Sequence, residues 1–148
     1  MLKKPLFGEM LGLLIIVGIL NYFAVKHHLF WSVNEFDSVV HFFGGSATSI
    51  FFLWLYFFSD FFNPPKRNLT KFFIISVFGT MFIAVSWEIF ELILGEVMVS
   101  KAEYPFDTAL DLIMGLLGTL AACLYGFIKE LESKKTSNVN ETTSHKQI

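Results

Sequence analysis

The chain has 148 residues, the length of one domain, and a single cysteine, which excludes an internal disulfide framework. Hydrophobic residues make up 54% of it and charged residues only 16%, and the mean hydropathy is +0.59. A soluble domain is about a quarter charged, so this composition excludes an ordinary water-soluble protein. The net charge of -2 is small, and no basic stripe indicates a nucleic-acid partner.

Four continuous apolar runs follow one another along the chain, at about residues 6–25, 38–58, 72–94 and 109–128. A helix needs about 20 residues to cross about 30 Å of hydrocarbon, and each run has about that length. Backbone polar groups cannot remain unpaired in lipid, and the runs do not alternate as barrel strands do. The sequence therefore predicts an all-α fold, a four-helix transmembrane bundle formed by residues 1–132 in a lipid bilayer.

The segment after the fourth run is rich in Ser, Thr, Asn and Lys and has no apolar face. We expect residues 133–148 to form a disordered cytoplasmic tail. Of the 11 Lys and Arg residues, nine lie at the N-terminus, between the second and third helices, or at the C-terminal end. The positive-inside rule therefore places both termini in the cytoplasm, as in a multi-pass protein of the cell membrane.

Three of the predicted helices carry a pair of ionisable side chains close to one end. The pairs are Asp37 with His41, Glu88 with Glu91, and Asp107 with Asp111. A spacing of three or four residues puts both members of a pair on one helix face. With a rise of about 1.5 Å per residue, all three pairs fall in one layer towards the outer surface of the membrane.

An ionisable side chain at the bilayer centre costs about 2.5–3.5 kcal/mol, so such residues are functional candidates. We expect one site in which four residues are central, and catalytic if the protein is an enzyme: His41, Glu88, Glu91 and Asp111. Asp37 and Asp107 are expected at its rim, where they also suit the first turn of a helix. Small residues let membrane helices approach closely, and we assign this packing role to Gly44, Gly45, Gly115 and Gly118.

Three short segments together resemble a known pattern: DSVVHFFGG at 37–45, WEIFE at 87–91 and DTALD at 107–111, followed by Gly115 and Gly118. The combination is similar to the core of the VanZ-like and YjdF-like bacterial membrane proteins. That resemblance spans residues 37–118 and implies a multi-helix membrane protein. One VanZ member is associated with teicoplanin resistance. In this chain Ser38 stands where the VanZ form usually has lysine, and Glu91 stands where it has a glutamine-type residue.

Several carboxylates and one imidazole, with no Lys or Arg inside the spans beside them, cannot all stay ionised at low dielectric. Either some carboxylates hold protons or a cation lies among them. Oxygen-rich sites with one histidine suit Mg²⁺, Mn²⁺, Ca²⁺ or Zn²⁺, which makes His41, Glu88, Glu91 and Asp111 candidate ligands of a divalent metal.

Three functions agree with this pattern. The first is an outer-leaflet cluster that binds or transforms a cell-envelope or lipid-linked molecule. The alternatives are a non-catalytic membrane scaffold held by a structural polar network, and a small proton-coupled transporter. Transporters usually place such groups near the midplane on broken helices, which favours the first function over the third. The sequence does not decide whether the protein is an enzyme, and it leaves the oligomeric state open.

Overall fold

The computed structural model describes residues 5–33, 36–59, 61–62, 64, 67–94 and 104–145, the last ten as backbone only. The described elements are α1 (Phe7–Lys26), α2 (Leu29–Ser32), α3 (Phe36–Phe57), α4 (Leu69–Leu94) and α5 (Tyr104–His145). α2 is a single turn, and the other four helices are long and apolar enough to cross a membrane. The prediction of an all-α, four-helix membrane fold is confirmed.

Two helices begin earlier than predicted, for local reasons. α4 begins at Leu69 rather than near residue 72, because the side chain of Asn68 accepts a hydrogen bond from the backbone N–H of Lys71 at 3.0 Å and caps the helix. α5 begins at Tyr104 rather than near residue 109, since Pro105 suits the first turn and Asp107 favours the positive end of the helix dipole.

The C-terminal end of α5 also differs from the expected boundary. The predicted helix ends near residue 128, whereas α5 continues as helix to His145. The side chains of Ser133, Lys134 and Lys135 are exposed and pack on no other helix in the buried core. Disorder of the tail, residues 133–148, stays a prediction.

α3 occupies the centre of the bundle and packs against α1, α4 and α5. Its contact with α5 is parallel, because successive contacts advance along both helices in the same direction. The hydroxyl of Ser46 donates to the carbonyl oxygen of Gly118 at 3.1 Å, and that of Ser49 donates to the carbonyl oxygen of Thr119 at 3.3 Å. The N-terminal ends of α3 and α5 therefore lie together at one end of the bundle.

Glycines allow this close approach, but not all four that the sequence suggested. A Cβ added at Gly45 would collide with the backbone of Gly115, and one at Gly118 would collide with the backbone of Phe42. A Cβ added at Gly115 would lie 3.7 Å from the carbonyl oxygen of His41, which is an ordinary contact distance. Gly44 differs from the expectation: a Cβ there would meet no atom within 4 Å, because it points about 100° away from its neighbour Gly45.

Large apolar side chains fill the opposite end of the bundle. The rings of Phe57 and Phe72 stack with centroids 4.4 Å apart, and Phe127 meets Phe72 edge-on at 5.5 Å. Around the outside, Phe78 and Phe82 are 72% and 71% exposed. Such exposed apolar side chains suit contact with lipid hydrocarbon rather than with water. The lengths of the helices, which are sufficient to cross a membrane, lead to the same conclusion.

Candidate functional site

The parallel packing of α3 and α5 brings Asp37, His41 and Asp111 together. One ligand atom from each residue lies within 4.8 Å of the others. His41 Nε2 is 3.7 Å from Asp37 Oδ1 and 3.9 Å from Asp111 Oδ2. Asp37 and His41 are one helical turn apart on α3, whereas Asp111 comes from α5. We call these three residues the Asp–His–Asp cluster.

Burial deepens across this cluster from Asp37 to Asp111. The side chain of Asp37 is 25% exposed, that of His41 is 12% exposed and that of Asp111 is 5% exposed. The buried hydroxyl of Ser38 donates to Asp111 Oδ1 at 3.3 Å, which holds the carboxylate from the α3 side. The cluster therefore has an open side at Asp37 and a closed floor at Asp111.

α4 contributes two carboxylates with different surroundings. Glu88 is buried, lies beside the hydroxyl of Thr108, and is within electrostatic range of His41 and Asp37. Glu91 is half-buried and accepts a hydrogen bond from the indole Nε1 of Trp87 at 2.8 Å on its own helix. Glu88 thus borders the Asp–His–Asp cluster, whereas Glu91 is held locally at the surface of α4.

Asp107 lies in the first turn of α5, one turn before Asp111 and within electrostatic range of His41. It is half-buried, as a residue at the mouth of the site would be. Asp37, which was expected at the rim as well, contributes a ligand atom to the cluster itself. The central group in the structure is therefore the Asp–His–Asp cluster with Glu88 beside it. Glu91 is within electrostatic range of Asp37, Asp107 and Glu88, but its hydrogen bond goes to Trp87 on its own helix.

No Lys or Arg of the described chain lies within ion-pair distance of Asp37 or Asp111. Within the described residues, ion pairs between Lys or Arg and an acid occur at Arg67, Lys129 and Lys134, all at the opposite end of the bundle. Two acids that share only one imidazole in a low-dielectric setting need a further positive charge or a proton. The cluster therefore requires either a bound cation or a proton on one of its acids.

Sequence reasoning missed two further polar groups. Ser38 was noted only for its place in the motif, although its position next to Asp37 on a buried helix face could have indicated contact with α5. The second is an ion pair at the other end of the bundle, in which Nη1 of half-buried Arg67 is 3.1 Å from Oε2 of buried Glu130. Arg67 Nη2 also donates to the carbonyl oxygen of Phe57 at 2.7 Å, which satisfies the C-terminal end of α3.

These features define a polytopic integral membrane protein whose helices enclose a cluster of acids and one histidine near one end of the bundle. The chain belongs to the family described as Predicted membrane protein (DUF2238), whose model matches residues 6–131. Membership supports the predicted membrane-protein class, while the VanZ-like and YjdF-like names remain a resemblance. No curated protein and no solved structure shows significant similarity to the chain.

Proposed function

We propose that the protein binds a divalent cation at the Asp–His–Asp cluster and uses it to hold the phosphorylated head group of an envelope lipid in the outer leaflet. The observation that carries this proposal is the convergence of one ligand atom each from Asp37, His41 and Asp111 within 4.8 Å, across two helices. Residues of two helices, about 70 positions apart in the chain, meet there, and none of the described Lys and Arg residues forms an ion pair with these acids.

The donor set and its spacing fit such an ion. Two carboxylates and one imidazole suit Mn²⁺ or Zn²⁺, and three protein ligands leave coordination positions for an external group. Two ligands that each lie about 2.1 Å from a tetrahedral metal are about 3.4 Å apart. The observed separations of 3.7 and 3.9 Å from His41 Nε2 to the two carboxylates are close to that value. A small inward movement of the side chains would complete the site.

A phosphorylated head group suits the position of the cluster. Divalent ions bound by one or two carboxylates commonly complete their coordination with phosphate oxygens. The N-terminal ends of α3 and α5 meet at the cluster and direct the positive ends of two helix dipoles towards it. His41 lies about 6 Å inside the mouth marked by Asp37, which is the depth of a lipid head group rather than of an acyl chain. The distribution of Lys and Arg supports an outer-leaflet location.

Cation binding is tested with the full chain in detergent by isothermal titration with Mn²⁺ and Zn²⁺. We expect one ion per chain, and we expect Asp111→Asn to remove binding because the amide keeps the shape but lacks the charge. The matched control is Glu91→Gln, since Glu91 is held by Trp87 and stands outside the cluster. Equal loss in both variants would favour the larger site expected from sequence, and no ion bound by the unmodified chain would contradict the proposal.

Head-group binding is tested in nanodiscs that contain phosphatidic acid, with Mn²⁺ and with a chelator. Retention of phosphatidic acid should depend on the ion and should be lost in Asp111→Asn. If phosphatidic acid stays bound in the presence of the chelator, the protein binds the lipid without a metal, and the proposed role of the ion in holding the head group is wrong.

A scaffold is the second candidate function, because the polar groups also satisfy one another. Ser38 donates to Asp111, and His41 lies between the two aspartates, so the cluster could act as a strut between α3 and α5. In that case Asp111→Asn would keep a hydrogen bond from Ser38 and would leave the melting temperature unchanged, with no ion bound by either form.

Transport receives less support from the helices themselves. α3, α4 and α5 are each continuous within the described residues, whereas transporter sites usually lie at interrupted helices near the midplane.

A further inference from the structure

Two hydroxyl groups on α4 are buried in the middle of the bundle. Ser76 is 0% exposed and Thr80 is 2% exposed, and both lie near the centre of the candidate span Leu69–Ile93. Neither hydroxyl forms a hydrogen bond with a nitrogen or oxygen atom of the described residues. Burial of a hydroxyl without a partner costs free energy, so these two groups indicate that something else bonds to them.

A local bond within α4 does not satisfy the two hydroxyls. Serine and threonine in a membrane helix often donate to the carbonyl oxygen four residues earlier. Thr48 of α3 does so, because its hydroxyl donates to the carbonyl oxygen of Gly44 at 2.8 Å. The hydroxyls of Ser76 and Thr80 form no such bond to a described carbonyl oxygen. Both are therefore available to a ligand between the helices.

Contacts along α4 and α5 show how the two helices face each other. The ring of Phe72 meets that of Phe127 with centroids 5.5 Å apart. One turn further along α4, Ser76 lies beside the thiol of Cys123, which is only a weak acceptor. Between the two contacts α4 advances by four residues and α5 goes back by four, so the helices are antiparallel with this register.

The next turn of the same register brings Thr80 to the level of Thr119 on α5. Thr119 is buried, and its hydroxyl donates to a carbonyl oxygen of its own helix at 2.8 Å, so its oxygen still accepts hydrogen bonds. The neighbouring Gly79 packs on the ring of Phe52 in α3. Thr80 points about 100° away from Gly79, on the side of α4 that faces α5.

The surroundings of these hydroxyls suit a small neutral ligand. α4 carries no charged side chain between Lys71 and Glu88. α5 carries none between Asp111 and Lys129. An ion at this depth would have no charge to balance it, which is costly in a low dielectric. Water has no such cost, and a buried water typically forms about three hydrogen bonds with groups that otherwise lack partners.

We propose that Ser76 and Thr80 bind one water molecule that links α4 to Thr119 of α5 in the middle of the membrane. The water accepts hydrogen bonds from the first two hydroxyls and donates one to the oxygen of the third. It gives α4 a hydrogen-bonded link at the depth where serine hydroxyls join α3 and α5 directly. Thr80 is eight residues from Glu88, about 12 Å along α4, so this water is separate from the Asp–His–Asp cluster.

Water-edited solid-state NMR of the full chain in lipid bilayers tests the site without any substitution. The experiment measures the transfer of magnetisation from water protons to assigned carbon atoms. We expect transfer to Cβ of Ser76 and Thr80 to be several-fold faster than transfer to Cβ of Thr48. Thr48 is the matched control, because it lies at a similar depth and its hydroxyl is bonded within its own helix.

Thr80→Val tests the same water by thermal unfolding. Valine keeps the branched shape and removes the hydroxyl, so the water loses one of its partners. We expect the melting temperature to fall by about 2–4 °C. Thr48→Val should change it little, because the carbonyl of Gly44 keeps its bond within the helix. If the Thr80 hydroxyl had no partner, valine would instead remove a buried unpaired group and raise the melting temperature.

Either of two results would overturn the proposal. The first is transfer from water to Thr80 that is no faster than transfer to Thr48 in the unmodified chain. The second is a melting temperature of Thr80→Val that equals or exceeds that of the unmodified chain. The NMR result decides the matter even if Thr80→Val does not fold. Neither measurement depends on Mn²⁺ or on Asp111, so the outcome is separate from that of the cation site.

Discussion

Replacement of Gly45 by alanine tests the close packing of α3 and α5, on which the Asp–His–Asp cluster depends. The added Cβ would lie 2.7 Å from the carbonyl carbon of Gly115 and 2.8 Å from its Cα. Both distances are below the 3.0 Å that Cβ contacts essentially never cross. The blocking atoms are backbone, so no change of rotamer can relieve the collision and the two helices must separate.

The expected loss of unfolding free energy in Gly45→Ala is the difference between two opposing effects. Overpacking of a close contact costs about 1–3 kcal/mol, and a backbone obstacle puts this substitution near the upper end. The higher helix propensity of alanine returns up to about 1 kcal/mol. We therefore expect a net loss of about 2 kcal/mol, which lowers the melting temperature of a chain of this size by roughly 4–8 °C.

Gly44→Ala is the matched control, because Gly44 is the adjacent residue and its added Cβ would meet no atom within 4 Å. It should leave the melting temperature unchanged or raise it. Thermal unfolding in detergent, followed by circular dichroism and by size-exclusion chromatography, measures both variants. A Gly45→Ala variant as stable as Gly44→Ala would refute the parallel contact between α3 and α5, and with it the geometry of the cluster.

Four further predictions concern other parts of the molecule. Cation affinity should fall as the pH is lowered from about 8 to 6, because carboxylate and imidazole ligands bind metal only when deprotonated. A cysteine at Ser32 should react with an impermeant thiol reagent in intact cells, and one at Asn68 should not, since the positive-inside rule predicts that Asn68 lies in the cytoplasm. Arg67→Gln should cost about 2 kcal/mol because it removes both the contact with buried Glu130 and the hydrogen bond to the carbonyl oxygen of Phe57. Lys134→Gln removes one more exposed contact with Glu130 and should cost less than about 1 kcal/mol. Deletion of 136–148 should leave the melting temperature unchanged.

Each of these has a clear contrary result. Affinity that rises or stays constant at low pH would show that the cluster is not the ligand set. Reaction at Asn68 from outside would reverse the topology and move the proposed head-group site to the other leaflet. Equal effects of Arg67→Gln and Lys134→Gln, measured by thermal unfolding, would contradict the buried ion pair. A lower melting temperature after the deletion would show that the tail packs on the bundle.

Local physics was sufficient to predict the number and type of helices from the sequence. Continuous apolar runs of membrane length must be helical, whatever their neighbours are, because lipid offers no partner to backbone groups. The pairing of Asp37 with His41 on one face followed from helix geometry alone, since residues four apart lie above one another. The capping of α4 by Asn68 and the start of α5 at Tyr104 also depend only on neighbouring residues. Such capping signals in a sequence are weaker than the apolar runs that follow them, so the predicted starts of both helices were a few residues late.

Only the tertiary structure decided which residues meet between helices. Gly44 and Gly45 are chemically identical neighbours, and the rotation of α3 about its axis determines which of them contacts Gly115. The same rotation, combined with the register of α5, places Asp111 beside His41. The sequence placed Glu91 at the same depth as these residues, and it is within electrostatic range of Asp37 and Asp107, but its hydrogen bond is to Trp87 on its own helix. Depth along a helix follows from counting residues, whereas contact across a bundle depends on rotation and register, which arise from the packing of all the helices together.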